Sequence, residues 1–141
     1  MTDSPQFHTV VTRVENKPGV LARVAGLFSR RGYNIESLAV AATDDPRFSR
    51  ITFTVDVASA SLDQVVKQLD KLINVVEIEE LDPARSVERE LTLVTVRAAE
   101  DKRHEILALI DDFRAYVLDE SHELMLLSLS ARPPRLDEFE T

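Results

Sequence analysis

Three histidines (His8, His104 and His122) and two carboxylate pairs (Asp44-Asp45 and Asp111-Asp112) are the residues of this 141-residue sequence suited to acid–base or metal chemistry. Neither set is spaced for it. His104-Glu105 begins like the zinc-binding helix of a metalloprotease, but the second ligand would fall at position 108, which is Ala. No histidine stands at metal-ligand spacing from another. The carboxylate pairs read as solvated loop and helix-surface charges. Cysteine is absent, which excludes disulfides, thiolate nucleophiles and cysteine-bound metals. Three glycines leave no glycine-rich phosphate loop, and no serine has a legible general base. The chain is expected to do no covalent chemistry itself.

Binding chemistry is better represented. Asn16-Lys17-Pro18-Gly19-Val20-Leu21 closes a strand and opens a helix. Pro18 suits the first helical turn, where its missing N–H costs nothing, and Asn16 is a good capping type. Gly19, lacking a side chain, lets a ligand or a second backbone approach. The unpaired N–H groups and positive dipole end of a helix start suit a carboxylate or phosphate. By local chemistry alone, the same residues serve equally as punctuation between strand and helix. A second cluster, Arg31-Gly32-Tyr33-Asn34-Ile35-Glu36, follows that helix and opens the next strand.

The elements that position these residues follow from periodicity. A strand at 7–14 sets Val10, Thr12 and Val14 on one face. A helix at 18–31 carries Leu21, Val24, Ala25 and Phe28 at i, i+3, i+4 and i+7. Arg30 and Arg31 complement its dipole, and Gly32 supplies a left-handed cap. The strand at 34–42 puts Leu38, Val40 and Ala42 on one face and Ser37, Ala39 and Ala41 on the other. After the loop 43–47, Ile51, Phe53, Val55 and Val57 alternate with polar residues. Leu62, Val65, Val66, Leu69 and Leu72 form a second amphipathic helix, with Ser59 or Ser61 as its cap. A strand at 75–81 turns Glu77 and Glu79 outward. The order βαββαβ is the split βαβ, ferredoxin-like α+β arrangement, with helices on one sheet face.

Asp82-Pro83-Ala84-Arg85-Ser86 reads as a polar linker. A second pass then begins, with a strand at 89–98, a helix at 102–115, strands at 116–120 and 123–131, and a helical turn around 136–139.

Composition sets outer limits. Hydrophobic residues are 44% and charged residues 30%, a soluble balance. No apolar run approaches the ~18 residues of a membrane span, and no secretory signal opens the chain. A cytoplasmic protein is expected. The net charge of −8 argues against nucleic acid as a partner. The acidity is uneven: residues 82–141 carry 14 acidic and 8 basic side chains, residues 1–81 carry 11 and 9.

Taken together, the two clusters resemble the amino-acid-binding ACT domain, and more closely the regulatory (small) subunit of acetohydroxyacid synthase, also called acetolactate synthase. The match is carried by Glu15-Asn16-Lys17-Pro18-Gly19-Val20-Leu21 and by Gly26-Leu27-Phe28-Ser29-Arg30-Arg31-Gly32-Tyr33-Asn34-Ile35-Glu36-Ser37-Leu38. It continues through Thr43-Asp44-Asp45-Pro46, Ser49-Arg50, Lys67-Gln68-Leu69 and Val87-Glu88-Arg89-Glu90-Leu91, and runs from about residue 7 to 139.

The resemblance implies an ACT domain at 7–81 and a second, C-terminally shortened ACT-like domain at 87–141. It implies a homodimer joined sheet edge to sheet edge. An amino acid would lie at that interface, held by Asn16, Gly19, Val20 and Leu21 of one copy and Asn34 and Ile35 of the other. Main-chain N–H groups at 19–21 would take its carboxylate, the Asn16 and Asn34 amide oxygens its ammonium, and Val20, Leu21 and Ile35 its side chain. The effector would be valine, or leucine or isoleucine. The partner would be a catalytic large subunit using thiamine diphosphate, magnesium and usually FAD; this chain itself would hold no cofactor. A stand-alone ACT sensor for another enzyme or for transcription is the alternative, and a match reaching past the linker argues against it.

Overall fold

Alternation of Val10, Thr12 and Val14 with Val11 and Arg13 makes β1 (Phe7–Glu15) a strand with one buried face. The computed structural model describes residues 7–56 and 59–140 of the chain, so Val57, expected in a strand, lies outside the described residues. The chain divides into two units between Arg85 and Ser86.

In the first unit, β1 leads to α1 (Val20–Arg30), β2 (Asn34–Ala42), β3 (Phe48–Asp56), α2 (Ser59–Asp70) and β4 (Val75–Glu80). The sheet runs β2-β3-β1-β4 with antiparallel neighbours. Val10 and Val14 of β1, Ile51, Phe53 and Val55 of β3, Val24 and Phe28 of α1, and Leu62, Val65 and Leu69 of α2 form one buried core. Phe28 meets Phe53 edge-on, with ring centroids 4.9 Å apart. The opposite sheet face stays open; Glu77 and Glu79 of β4 lie there beside Arg13 and Val11 of β1.

The start of α1 differs from the sequence expectation. The helix begins at Val20, not at Pro18, and Gly19 is its N-cap with φ +85° and ψ −10°. The Val20 N–H reaches back to the Lys17 carbonyl at 3.4 Å. Pro18 and Gly19 are thus the central pair of a type II turn, which needs positive φ at its third position. Asn16 does not cap the helix; no side chain does. The other end is as expected. Gly32 has φ +70°, the Tyr33 N–H donates to the Phe28 carbonyl (3.0 Å) and the Gly32 N–H to the Ser29 carbonyl (3.1 Å). This is a Schellman cap, and it aims the chain into β2. The side chains of Ser59 and Ser61, expected to cap α2, lie outside the described residues.

Strand β2 is a sheet edge. A bulge at Glu36 shifts its register, so Ile35, opposite Val55, and Leu38, opposite Phe53, share the helix-side face. Leu38 and Val40 are nevertheless 45% exposed each.

The second unit contains β5 (Glu90–Arg97), α3 (Arg103–Phe113), β6 (Tyr116–Glu120), β7 (Leu124–Ala131) and α4 (Pro133–Glu140). Its sheet, β5-β7-β6, repeats the first three positions of the other sheet, with β7 central as β3 is. Met125 and Leu127 of β7 pack with Val94, Val96, Ile106, Ile110 and Phe139. The expected helix at 102–115 ends at Phe113, because Arg114 takes a left-handed conformation (φ 58°) and the Ala115 N–H closes onto the Ile110 carbonyl. Pro133 opens α4, a position where no N–H is needed.

Candidate functional site

The turn at Pro18–Gly19 is gripped from both flanks. On one side, the Asn16 N–H donates to the Arg47 carbonyl (2.8 Å) and Asn16 Nδ2 donates to the Pro46 carbonyl (3.2 Å). The second bond occupies the amide nitrogen and leaves Oδ1 to accept from a ligand. The gripping loop is itself braced: Arg47 Nε and Nη2 donate to the Asp45 carboxylate at 2.6–3.2 Å. On the other side, Lys17 Nζ lies 2.9 Å from Glu15 Oε2, and Asn74 Nδ2 donates to the same oxygen at 3.2 Å. Those two bonds, Lys17 first, lower the Glu15 carboxyl below its ordinary value.

The Arg47 guanidinium, and after it the Arg47 main-chain N–H, hold the Asp45 carboxyl at about 2 against an ordinary 3.8. A folded-state value below the unfolded one stabilises fully above the unfolded value and is lost as pH falls through the folded value. The loop brace is therefore expected to stay intact down to about pH 2. Titration of the Asp45 carboxyl carbon by NMR checks this; a midpoint near 3.8 would mean the pair does not form in solution.

The helix start itself is bare. No acidic residue lies in the first turn, and the first helical bond is from the Arg23 N–H to the Gly19 carbonyl (3.1 Å). The N–H groups of Leu21 and Ala22 precede that bond and have no helical acceptor. A Cβ built on Gly19 would meet nothing within 4 Å, so the turn is open to its surroundings at this position. Uncompensated positive potential, free donors and open space suit an anion of carboxylate size.

The expected apolar wall needs one correction. The Val20 side chain is only 4% exposed and belongs to the core, and its N–H is turned to the Lys17 carbonyl, so Val20 offers a ligand no apolar wall. Leu21, 41% exposed, faces outward. Ile35 is half-buried against the core, and Asn34 is exposed.

Asn34 and Ile35 do not meet the turn within one chain. Asn34 and Phe7 both pair with Asp56, at one end of the sheet. Glu15 pairs with Phe48 and Ala42 with Ser49, at the other end, where the Pro18–Gly19 turn follows β1. The nine residues of β2 separate the ends by roughly 25 Å. One copy thus places the two candidate clusters at opposite ends of the sheet.

The histidines form no centre: His8 Nδ1 is 2.8 Å from Glu80 Oε1, while His104 and His122 are exposed. Asn74, Pro46 and Arg47 brace the turn yet were not among the expected residues. The Glu15–Asn74 bond joins positions 59 apart, and no periodicity links them.

Comparison with known proteins agrees across both units. Residues 11–77 match the family described as the AHAS small subunit-like ACT domain, and residues 89–141 match the family described as the small subunit of acetolactate synthase. The acetolactate synthase small subunit of Mycobacterium avium is 52% identical over 124 residues, covering 88% of this chain and 74% of that one. The small subunit of Mycolicibacterium smegmatis is 47% identical over 137 residues, 97% of this chain and 81% of that one. The crystal structure of the acetolactate synthase small subunit from Thermotoga maritima superposes with a TM-score of 0.87 at 37% identity, over 96% of this chain and 84% of that one. With both units matched in order and at this identity, the chain belongs to the acetolactate synthase small-subunit family, the regulatory and not the catalytic component of that enzyme.

Proposed function

We propose that two copies of this chain pair through β2 and clasp a branched-chain amino acid, with valine the first candidate. Asn16, Gly19 and the Leu21 and Ala22 N–H groups of one copy would face Asn34 and Ile35 of the other. The observation that carries this reading is the placement of the half-sites at opposite ends of the sheet, beside an exposed apolar edge strand. Twofold pairing of two β2 edges is necessarily antiparallel. It swings the partner's Asn34 end toward the end holding the Pro18–Gly19 turn, and does so twice per dimer.

Effector binding at a shared interface gives regulation by linkage. Repacking of the two copies and ligand binding use the same surfaces, so the ligand favours one arrangement over the other. A coupling of about 1–3 kcal/mol is sufficient for end-product inhibition. In this reading the unit at 7–81 dimerises and binds the effector, and the unit at 87–141 completes the subunit. Thiamine diphosphate, magnesium and FAD belong to the catalytic partner, which this subunit activates and makes sensitive to its effector.

The test is reconstitution with the cognate catalytic subunit, assaying acetolactate with and without valine, leucine or isoleucine. Higher activity on mixing, suppressed by one of the three, is expected; activity indifferent to both additions would overturn the proposal. Asn34→Ala removes the far half-site's acceptor and should weaken valine binding about tenfold by calorimetry, one hydrogen bond to a charged group. Unchanged affinity would remove Asn34 from the site.

A further inference from the structure

We infer that Asn74, in the connection between α2 and β4, is a positioning residue that fixes the Pro18–Gly19 turn in its effector-binding form. It does so by fastening the last residue of β1 to the first turn of α1. The inference rests on the effector site proposed above and adds to it a residue outside the ligand's own shell.

Three groups of Asn74 are engaged at once. Its main-chain carbonyl accepts from the Glu15 N–H at 2.9 Å, its Nδ2 donates to Glu15 Oε2 at 3.2 Å, and its Oδ1 accepts from Arg23 Nη1 at 2.8 Å. Glu15 is the residue before Asn16, and Arg23 donates the first helical N–H, to Gly19. Asn74 therefore spans the whole turn from outside, touching the chain just before it and just after it. Lys17 Nζ closes the same circuit on Glu15 Oε2 at 2.9 Å. The amide is the side chain this place calls for. It must donate toward a carboxylate and accept from a guanidinium, and a primary amide presents both, side by side, on one short planar group. A turn left to itself can tilt, and the donors at Leu21 and Ala22 hold a carboxylate only when aimed at it. Asn74 is half-buried while the turn is exposed, so the fixed partner is the α2–β4 connection.

The chemistry prescribes a swap test on the full-length protein. Asn74→Asp keeps an acceptor for Arg23, but loses the donor to Glu15 and sets a second carboxylate beside it. Its valine Kd by calorimetry should rise about tenfold or more. Glu15→Gln combined with Asn74→Asp restores an amide–carboxylate pair with its polarity reversed, and should bring the Kd back to within about threefold of the unaltered protein. Rescue by exchanging the two groups is a result that a general loss of stability does not produce. A second readout needs no effector: amide hydrogen exchange at Arg23 should quicken in Asn74→Asp and recover in the double variant, while exchange at buried Phe28 stays unchanged. Wild-type Kd and wild-type Arg23 exchange in Asn74→Asp, or no recovery in the double variant, would overturn the role of Asn74. Absence of valine binding by the unaltered protein would instead overturn the proposed function, and exchange at Arg23 would still decide whether Asn74 sets the turn.

Discussion

Gly19→Asp is expected to abolish feedback inhibition while leaving activation of the catalytic subunit in place. Two effects act together. Gly19 sits at φ +85°, where an L side chain is strained by about 1–2 kcal/mol, although Asp tolerates this region better than most. The larger effect is electrostatic. A Cβ added at this position meets nothing within 4 Å, so a carboxylate there has room to turn toward the Leu21 and Ala22 donors. There it takes those donors itself and repels the ligand's own carboxylate at close range, which weakens valine by more than about a hundredfold. Gly19→Ala separates the contributions, because it carries the strain without the charge and should lose about tenfold. Valine titration of the reconstituted enzyme measures both. Equal losses in the two variants would assign the effect to backbone strain, and undiminished inhibition in Gly19→Asp would remove Gly19 from the site.

The second large effect belongs to the edge of the sheet. Leu38 and Val40 lie on the helix-side face of β2, 45% exposed, and an apolar edge left in that state invites pairing with another strand. Replacing both by Glu places four carboxylates along a twofold-related edge. Antiparallel pairing then sets like charges across from one another, and the dimer should dissociate. Because neither residue belongs to the buried core, the fold of each copy should persist, which far-UV circular dichroism reports. Sedimentation should show a monomer, and valine affinity should fall by about a hundredfold, since each half-site has lost its counterpart. A monomer that binds valine as tightly as the unaltered protein would show that the site is complete within one chain. A dimer that survives both substitutions would place the interface elsewhere.

Family membership and the regulatory role follow from matches along both units. The physical content of the proposal lies in the contrast between the two half-sites. Asn16 and Asn34 are near in sequence, yet the sheet sends them to opposite ends. A compact ligand cannot touch both in one copy. In the proposed antiparallel dimer, the same architecture that separates them within a chain would bring them together between chains.

Periodicity by itself determined the order of elements and the helix-facing residues of β1 and β3, because each reports a local repeat of 2.0 or 3.6 residues. On α1 it found Val24 and Phe28 but set the exposed Leu21 in the stripe where Val20 is buried. The left-handed cap at Gly32 was legible as well, whereas Gly19 was legible only as a place of close approach and its positive φ was not. Local pattern placed the helix start one turn-residue pair too early, because a proline suits both a first helical turn and the second place of a type II turn. Three matters were left to the tertiary structure. Val20 sits in the reading of the site but points into the core, a question of which way the helix faces. Leu38 and Val40 share a face with buried residues yet lie uncovered, because strand order puts β2 at the rim. Asn74 reaches the turn across 59 positions. Sequence spacing encodes which side of an element a residue occupies; what lies opposite that side depends on how distant segments pack, and no local repeat records it.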